Sequence, residues 1–543
     1  MQNILAIIPA RGNSKGIPRK NVRKLGKHPL IYYAIQTALQ SKFSIDTYVS
    51  SDDSEILTLS AKFGAKTIDR DEHLAEDATT LDPVIFHGFE QASKLENKRY
   101  DIVVTLQPTS PLLKPASLDA ALEHLIQHPE IDTVLSATDD THLTWTIEDG
   151  KYLPNFTKRL NRQYLKPIFR ETGGFLITRD AWMSDNNRIG KQVHLALLKG
   201  AEAIDIDTYE DWNICEYYLK RKKLLFVVSG YPQIGLGHVY NTLVLANEIL
   251  NHDIRFLVDN KSALAAEKIR ANNYPMAMQE HADITQDIAA MNPDIVINDR
   301  LDNSANYIQT LKKQGYKVIN IEDLGAGAEH ADLVINAMYP EKELLPNHHF
   351  GHKYFCIRNE FVYTTPKKEM AAKVEQVLLS FGGVDPNNFT LKVLQTIYET
   401  CKRNKIKITV ILGLGYQQQD SLKPFEGIEI HQNVSNMSKY MQRADLIFTS
   451  AGRTTFEVAS IGAPTIVLCQ NERESTHFFA SQEYGFVNLG LGEKVSNSQL
   501  LEVFSGLVDD QNKRKYMNEL MLAHDIKNGK NRVLKLINDC INE

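Results

Sequence analysis

Long apolar runs, a cysteine framework and a strong net charge are all missing from this sequence. No stretch approaches the roughly 20 apolar residues of a membrane-spanning helix, and the short apolar start is followed by Arg11 without a signal-peptide cleavage pattern. The five cysteines lie far apart and form no CxxC pair, which argues against disulfides or a zinc site. A net charge of -6 gives no general attraction to nucleic acid or anionic lipid. We therefore expect a cytoplasmic protein that binds neither membranes nor nucleic acid.

What the chain does have is the composition of a globular protein and a length beyond that of one hydrophobic core. Of its 543 residues, 43% are hydrophobic and 24% are charged, which is typical of folded domains and not of disordered chains. A chain of this length usually divides into two or three domains, each with its own core.

Short β-branched runs alternate with amphipathic segments along the chain, a pattern that predicts α/β domains with mostly parallel sheets. A predicted helix near 211–219 ends in a basic run, and a new apolar strand begins at Leu224. The polar stretch 364–369 divides the series that follows, so we expect two Rossmann-like lobes around one cleft. The predicted domains are 1–222, 223–366 and 367–543.

The loop after the first predicted strand is unusually rich in glycine and cations. It reads Arg11-Gly12-Asn13-Ser14-Lys15-Gly16-Ile17-Pro18-Arg19-Lys20-Asn21. A strand followed by such a loop offers backbone N–H groups and positive charge to a polyphosphate. The GxxxxGK[ST] spacing of a Walker A loop is absent. The alternative is a basic loop that is merely solvated.

This loop resembles the nucleotide loop of the acylneuraminate cytidylyltransferases. Three later segments agree with that family in order and separation, namely 49–53, 106–112 and 204–208, so the resemblance covers residues 1 to about 218. It implies a Rossmann-like nucleotidyltransferase that uses CTP to convert a nine-carbon, sialic-acid-like sugar acid to its CMP-sugar, with release of pyrophosphate. Enzymes of this fold that activate an eight-carbon acid are the nearest alternative, but their loop continues into Lys-Pro-Leu where this chain has Lys20-Asn21-Val22.

The resemblance also implies roles for single residues in the nucleotide site. Asp205 and Asp207 are separated by one residue, so on an extended segment both carboxylates face one side, which suits a shared Mg²⁺. A DxD pair on its own is more often a solvated turn. Lys20 and Arg11 are the implied catalytic cations, with Lys20 steadying charge on the departing pyrophosphate. The implied CTP-binding residues are Arg11, Ser14, Lys15, Lys20 and Arg70.

The sugar acid and the assembly follow from the same resemblance. Gln107, Arg162 and Arg170 would contact the sugar, and a guanidinium is the natural partner of its carboxylate. Members of the family usually dimerise through an arm, and the long, aromatic segment 139–167 is the candidate here. We therefore expect a homodimer formed by the first domain.

A second glycine-bearing turn follows the predicted strand 224–228. It contains Gly235-Leu236-Gly237-His238, and glycines at a strand-to-helix turn let a ligand approach the backbone. A histidine that caps its helix or lies in the core is the alternative. Two further strands are followed by the segments 379–386 and 450–457.

Together these segments resemble glycosyltransferases of the two-Rossmann-lobe (GT-B) type, in particular the UDP-sugar hydrolase of the pseudaminic acid pathway. The resemblance implies a UDP-sugar ligand, His238 as the base that activates water, and no cofactor for this half. Thr454 and Thr455 would contact the pyrophosphate and Glu457 the ribose, while Asn471 would line the same cleft.

Two positions depart from that second family. Asn241 stands where an arginine is expected soon after the histidine, and Arg300 stands where a tyrosine is expected. Three interpretations of the second half therefore remain open: a UDP-amino-sugar hydrolase fused to the cytidylyltransferase, a glycosyltransferase using the same cleft, or a non-catalytic nucleotide-binding or assembly module.

Overall fold

A computed structural model of the protein describes residues 2–14, 16–76, 78–231, 234–340 and 345–542. The chain divides into two compact units, Met1–Arg221 and Lys222–Glu543, and each is described by itself. Within the described ranges, no helix is both long enough and apolar enough to span a bilayer.

The first unit is built from short strands that alternate with helices. Its strands are β1 (Ile4–Pro9), β2 (Lys24–Leu25), β3 (His28–Pro29), β4 (Ile45–Ser51), β5 (Lys66–Asp69), β6 (Ile102–Leu106), β7 (Thr133–Asp139), β8 (Trp145–Glu148), β9 (Lys151–Pro154), β10 (Phe169–Arg179) and β11 (Val193–Leu197). Its helices are α1 (Ile31–Leu39), α2 (Ser54–Lys62), α3 (Leu81–Glu96), α4 (Pro115–Gln127) and α5 (Tyr209–Lys220).

A seven-stranded sheet in the order β11-β7-β10-β6-β1-β4-β5 forms the centre of this unit. Only β10 runs antiparallel to its neighbours in that sheet. Along β1, Ala6 and Ile8 belong to one hydrophobic core and Leu5 and Ile7 to another. The strand is apolar throughout because side chains of successive residues point to opposite faces and both faces are covered.

The connections of β1 create the crevice that a ligand would use. From β1 the chain goes to β4 and β5 on one side and then returns to β6 on the other. In α/β sheets, ligands bind outside the carboxyl ends of the strands at such a switch point. The cation-rich loop after β1 lies at this position.

The predicted arm is an ordered excursion between β7 and β10. Strands β8 and β9 pair as an antiparallel hairpin, and the hairpin leaves large apolar side chains exposed, namely Trp145, Ile147, Tyr152 and Leu153. These side chains are exposed to solvent among the residues that the structure describes.

The second unit contains two lobes, each with its own parallel sheet. The elements of the first lobe are β12 (Lys223–Val228), α6 (Gly237–Ala246), β13 (Asp253–Val258), α7 (Ala263–Ala271), β14 (Met276–Met278), α8 (Ile284–Met291), β15 (Ile295–Asp299), α9 (Ala305–Lys313), β16 (Lys317–Ile321), β17 (Leu333–Asn336) and β18 (His348–Phe350). The short helix α10 (Asn359–Tyr363) comes next, and its Phe361 lies in the same hydrophobic core as Phe456 of the second lobe. The elements that follow are β19 (Gln376–Leu379), α11 (Phe389–Asn404), β20 (Lys407–Leu412), β21 (Glu429–Gln432), α12 (Met437–Arg443), β22 (Leu446–Thr449), α13 (Thr454–Ile461), β23 (Thr465–Cys469), α14 (Glu472–Ser475), β24 (Phe486–Leu491), α15 (Asn497–Asp509), α16 (Gln511–Leu522) and α17 (Gly529–Asn542).

The two sheets have matching connections. The first has the order β14-β13-β12-β15-β16-β17-β18 and the second the order β21-β20-β19-β22-β23-β24. Both β12 and β19 therefore lie at switch points, and the glycine-bearing turns that follow them are at ligand-binding positions. The structure confirms the predicted α/β class, with a parallel sheet in each lobe.

The last helix belongs to the first lobe and not to the second. Val533, Ile537 and Cys540 of α17 lie in the same hydrophobic core as Leu224 and Phe226 of β12. The predicted domain bounds place these residues in the second lobe, 367–543, whereas their core contacts are with β12 of the first lobe. An amphipathic helix shows in sequence that it needs an apolar partner, but not which lobe supplies it.

Candidate active sites

In the first unit, the loop after β1 is held against the end of β4. Gly12 donates its N–H to Oδ1 of Asp52 at 3.0 Å, and Asn21 donates to the carbonyl of Arg11 at 2.9 Å. A Cβ on Gly12 would lie 2.8 Å from Oδ2 of Asp53. Glycine is required at this position because a side chain would collide with the carboxylate.

Lys20 connects this loop to the predicted metal motif. Its Nζ donates to the carbonyl of Ile206 at 2.6 Å and lies 3.7 Å from Oδ1 of Asp207. Burial lowers the pKa of Lys20, while Asp207 and Asp205 act in the opposite direction. The ammonium is thus fixed beside two carboxylates before any substrate binds.

The two aspartates occupy different environments on a loop just before α5. Oδ1 of Asp205 is buried and has no hydrogen-bond partner, whereas the Asp207 side chain is 79% exposed. Burial raises the pKa of Asp205, Thr109 opposes this effect, and the nearby Asp207 acts in the same direction as burial. A Cβ on Gly173 would lie 2.9 Å from the same Oδ1, and one on Gly16 would lie 2.4 Å from the Asp207 carbonyl.

Asp205 and Asp207 suit a magnesium ion that takes only some of its ligands from the protein. An unpartnered buried carboxylate oxygen next to a second carboxylate favours a cation, and Lys20 already supplies one positive charge beside the pair. In the described part of the chain, no three His, Cys, Asp or Glu side chains are grouped so as to hold a metal ion. Mg²⁺ commonly takes one or two carboxylates and completes its shell with phosphate oxygens and water. Asp205 and Asp207 provide such a partial shell.

Arg70 lies beneath the loop rather than in it. Its side chain is buried, and its guanidinium donates to the hydroxyl of Ser50 at 3.1 Å and to the carbonyl of the same residue. Burial lowers the pKa of Arg70 to about 10, and Asp52 opposes this effect. Arg11 is close enough to influence the pKa values of both Lys20 and Arg70. Ser14 is half-buried in the loop, and Lys15 lies outside the described residues.

The three predicted sugar-binding residues lie on different segments of the first unit. Arg162 lies in a cleft at the base of the arm, together with Thr138 and Lys199, and it donates to the carbonyl of Asp139 at 3.2 Å. Arg170 on β10 lies outside that cleft, with its Nε 3.6 Å from Oδ2 of Asp140. Gln107 follows β6 and also lies outside the arm cleft.

In the second unit, the two lobes enclose a cleft of about 380 Å³. The glycine-bearing turns after β12 and β19 form two of its walls. The predicted residues that line it are His238, Thr454, Glu457 and Asn471. A ligand in this cleft would contact both lobes.

His238 is oriented by a buried aspartate at the end of β15. Its Nδ1 lies 2.5 Å from Oδ1 of Asp299, and the other oxygen of that carboxylate accepts from Nδ2 of Asn241 at 2.7 Å. Leu236 occupies the N-cap position of α6 and makes no side-chain cap. His238 therefore is not a helix cap, and its Nε2 is the ring nitrogen left for a ligand.

The predicted ribose ligand, Glu457, already has one cationic partner. Its Oε1 accepts from Nε of Arg358 at 2.8 Å, which leaves the second oxygen for other donors. Close by, Arg453 precedes α13 and donates to the carbonyl of Cys356 at 2.7 Å. Two guanidinium groups thus lie at the start of α13, where the helix N-terminus itself favours an anion.

Of the two neighbouring threonines, only one lines the cleft. Thr454 lines it at the first residue of α13. Thr455 is buried, and its hydroxyl donates to the carbonyl of Gly452 at 2.8 Å. The expectation that Thr455 contacts pyrophosphate does not agree with this placement. Asn471 lines the cleft and caps α14 by accepting from the N–H of Glu474 at 2.9 Å.

Several cleft residues were not identified from the sequence. Asp299 ends a buried strand. A carboxylate at the end of an apolar strand was the feature of the sequence that could have identified it as a cleft residue. His477 donates from Nδ1 to the Ala451 carbonyl at 2.7 Å, and burial lowers its pKa to about 4, so the ring is neutral at physiological pH. Glu322 lies on the opposite, first-lobe side of the cleft. No local motif marks these last two.

Comparison with known proteins assigns the two halves to different families. Residues 5–161 match the model of the family described as cytidylyltransferase. Residues 377–537 match the model of the glycosyltransferase family 28 C-terminal domain. A MurG crystal structure from Acinetobacter baumannii covers 59% of this chain at 15% identity, with a TM-score of 0.45.

Curated relatives fall into full-length and partial matches. A Helicobacter pylori protein named pseudaminic acid cytidylyltransferase and UDP-2,4-diacetamido-2,4,6-trideoxy-beta-L-altropyranose hydrolase is 24% identical over 94% of this chain and 95% of its own length. An uncharacterized protein of Methanocaldococcus jannaschii is 32% identical over 46% of this chain, which covers only 56% of that protein.

The family is shown by a relative that this chain covers over almost its whole length. The pseudaminic acid cytidylyltransferase of Campylobacter jejuni is 31% identical over 40% of this chain and 96% of its own length. On this evidence, the chain belongs to the cytidylyltransferase family.

Proposed function

We propose that the first unit transfers CMP from CTP to a nine-carbon, sialic-acid-like sugar acid. The anomeric hydroxyl of the sugar acid would attack the α-phosphorus of CTP, and pyrophosphate would leave. The observation that carries this proposal is the meeting of Lys20, Asp205 and Asp207 beside the loop after β1. The names of the Campylobacter and Helicobacter relatives support the same reaction class.

The cationic side chains of this site would stabilise the charge of the triphosphate because they are already in position before CTP binds. Lys20 is held by the Ile206 carbonyl, so its charge needs little reorganisation to stabilise the departing pyrophosphate. Arg11, Ser14 and Lys15 would bind the triphosphate from the loop. Arg70 would contribute positive potential from beneath, since its guanidinium is engaged by Ser50.

Asp205 and Asp207 would hold Mg²⁺ in this site. The ion, when bound, supplies positive charge to the triphosphate. The unpartnered oxygen of Asp205 supports this assignment. The sugar acid would be contacted by Arg162, Arg170 and Gln107. To meet all three, it would have to extend from the arm to the end of β6.

An assay of the intact chain with CTP, Mg²⁺ and a panel of sialic, legionaminic and pseudaminic acids tests this proposal. The expected result is one preferred CMP-sugar and an equal amount of pyrophosphate. A preference for an eight-carbon acid would contradict the substrate class. The absence of CMP transfer to every acid would contradict the reaction.

For the second unit we propose hydrolysis of a UDP-linked amino sugar. The observation that carries it is His238, whose Nδ1 is bound to Asp299 so that Nε2 can take a proton from water. The Helicobacter relative, which carries a UDP-sugar hydrolase in its name and matches both halves, supports this activity. No cofactor is needed, because water is the only co-reactant.

The uridine nucleotide would bind on the second-lobe side of the cleft. Thr454 and the start of α13 would contact the phosphates, and the free oxygen of Glu457 would accept a ribose hydroxyl. Asn471 would line the same pocket. Thr455 has no part in this proposal.

Incubation of the intact chain with UDP-amino sugars separates the three interpretations of the second half. The panel includes UDP-2,4-diacetamido-2,4,6-trideoxy-β-L-altropyranose, the sugar in the name of the Helicobacter relative. UDP release that needs only water supports a hydrolase. Release that depends on an added acceptor supports a glycosyltransferase, which the family 28 match also favours. Binding of UDP without release supports a non-catalytic module.

Assembly and location belong to the same proposal. The exposed apolar hairpin of the arm supports a homodimer through the first unit. CTP and UDP-sugars are cytoplasmic metabolites, so the two reactions imply a cytoplasmic enzyme.

A further inference from the structure

Glu322 has a backbone conformation that glutamate rarely adopts. It follows the last residue of β16, and its φ is +54°. This is the left-handed region, where any residue with a Cβ is strained. Strain of this kind persists where the surrounding structure enforces it, and such residues cluster at functional sites.

A buried polar network holds this turn in place. The carboxylate of Asp323 accepts from the N–H of Asn303 at 3.0 Å and from the amide of Asn320 at 2.7 Å. Its backbone N–H donates to Oδ1 of Asn336 at 2.9 Å. The hydrogen bonds of the neighbouring Asp323 thus help to hold the backbone conformation of Glu322.

The side chain of Glu322 is buried and lines the cleft. Its two oxygens accept from the N–H groups of Ala337 at 3.0 Å and Met338 at 3.4 Å. Among the residues that the structure describes, no lysine, arginine or histidine forms a salt bridge with it. Each oxygen has a second lone pair that these contacts do not use.

The position of Glu322 places it beside the proposed catalytic pair. Strands β15 and β16 are paired in register, and Asp299 is the last residue of β15. The carboxylates of Asp299 and Glu322 therefore lie at the carboxyl ends of neighbouring strands. The proposed nucleotide site is on the other lobe, so the sugar of a UDP-sugar would occupy the space between.

We infer that Glu322 is a sugar-binding residue of the second unit, which hydrogen-bonds an N–H or O–H group of the amino sugar on the first-lobe side of the cleft. This inference rests on the proposed UDP-sugar hydrolysis. The carboxyl can accept such a bond when ionised and can also donate one when protonated. Burial, assisted by Asp299 and opposed by Arg453, raises its pKa to about 7, so both forms are populated near neutral pH.

The test compares Glu322→Gln with the wild-type chain, using UDP and the UDP-diacetamido sugar as separate probes. A hydrogen bond to a charged group is worth about 10- to 100-fold in binding. We expect KM for the UDP-sugar to rise by that factor, while the dissociation constant of UDP measured by calorimetry stays within about twofold. Equal weakening of both probes, or an unchanged KM, would overturn the inference.

Two further variants keep the result interpretable. Glu322→Gly removes the carboxyl and suits the positive φ, so it should fold and show the same rise in KM. Glu329→Gln changes an exposed glutamate of the same connection outside the cleft and should leave both probes unchanged. A dissociation constant of UDP close to that of the wild type reports that the second unit of each variant is folded. If the wild-type chain releases no UDP, the proposed hydrolase and this inference fail together; if it does and Glu322→Gln behaves like wild type, only the inference fails.

Discussion

Nδ1 of His238 and Oδ1 of Asp299 lie 2.5 Å apart, and the aspartate is completely buried at the end of β15. Asn241 satisfies the second oxygen of this carboxylate. The asparagine that departs from the related hydrolases thus has a structural role, because it completes the hydrogen bonding of a buried charge. The arrangement fixes the ring orientation and leaves Nε2 toward the cleft.

Replacing His238 by asparagine should abolish most UDP release. Loss of a well-placed general base costs about 10²–10⁴-fold in rate, and asparagine cannot take up the proton. The measurement is single-turnover UDP release from the UDP-diacetamido sugar by the intact chain. CMP transfer in the same preparation should be unchanged.

Asp299→Asn provides the matched comparison, since it keeps the shape but loses the charge that orients the ring. It should also lower UDP release without affecting CMP transfer. Undiminished release by the His238→Asn protein would show that another group is the base.

Replacing Asp207 by alanine should abolish Mg²⁺-dependent CMP transfer while the fold is retained. The side chain is largely exposed, so its removal leaves no cavity and would weaken binding of the proposed Mg²⁺ instead. The measurement is the initial rate of pyrophosphate release against Mg²⁺ concentration. Glu210→Gln changes a neighbouring exposed carboxylate and should have no effect. Near-normal magnesium dependence in Asp207→Ala would contradict the metal assignment.

Replacing Glu322 by glutamine should alter how stability depends on pH. The pKa of Glu322 is raised to about 7, chiefly by burial, so between the unfolded value and pH 7 the native state binds more protons than the unfolded state. The wild-type chain therefore loses stability as pH rises through this window, by on the order of 3 kcal/mol from this group. The Glu322→Gln variant should lack this pH-dependent loss of stability, because glutamine does not ionise.

Thermal midpoints of both proteins at pH 5, 6, 7 and 8 provide the measurement. The thermal midpoint of Glu322→Gln should rise relative to that of the wild type as pH increases to about 7. Above that pH the difference between the two midpoints should stay constant. Parallel curves would mean that the carboxyl is ionised throughout.

The hairpin of β8 and β9 should form a dimer contact. Tyr152 is 73% exposed and Trp145 is 53% exposed in the isolated chain, and apolar patches of this kind commonly mark interfaces. Light scattering at micromolar concentration should give twice the mass of the chain, and Trp145→Asp combined with Tyr152→Asp should give the monomer. Tyr363→Asp, at a still more exposed position in the second unit, should leave the dimer intact. A monomeric wild type would contradict the proposal.

The sequence predicted the sheets well because buried parallel strands are apolar throughout. The apolar runs at 4–8, 102–106 and 224–228 all lie in strands. The glycine-bearing turns were also predictable, since each directly follows such a strand. The antiparallel β10 was not, because pairing direction depends on where the chain goes after a long excursion.

Partners that are distant in sequence could not be predicted in the same way. Arg358 and Glu457 are separated by 99 residues, and His238 and Asp299 by 61. Thr454 and Thr455 are adjacent, yet only one faces the cleft, because neighbouring helix residues point about 100° apart. Which of them faces the ligand depends on how the helix is rotated against its sheet.

The return of α17 to the first lobe has a consequence for how the protein is made. The apolar face around Leu224 and Phe226 is synthesised early but gains Val533 and Ile537 as neighbours only after the whole second lobe has followed. Domains generally fold as units during translation, and the first unit contains all of its own strands by Arg221. It can therefore fold on the ribosome, whereas the two lobes must complete their folding together once residues 529–542 have emerged. Nascent chains stalled before that point should carry a folded first unit and an incomplete first lobe, a natural target for chaperones.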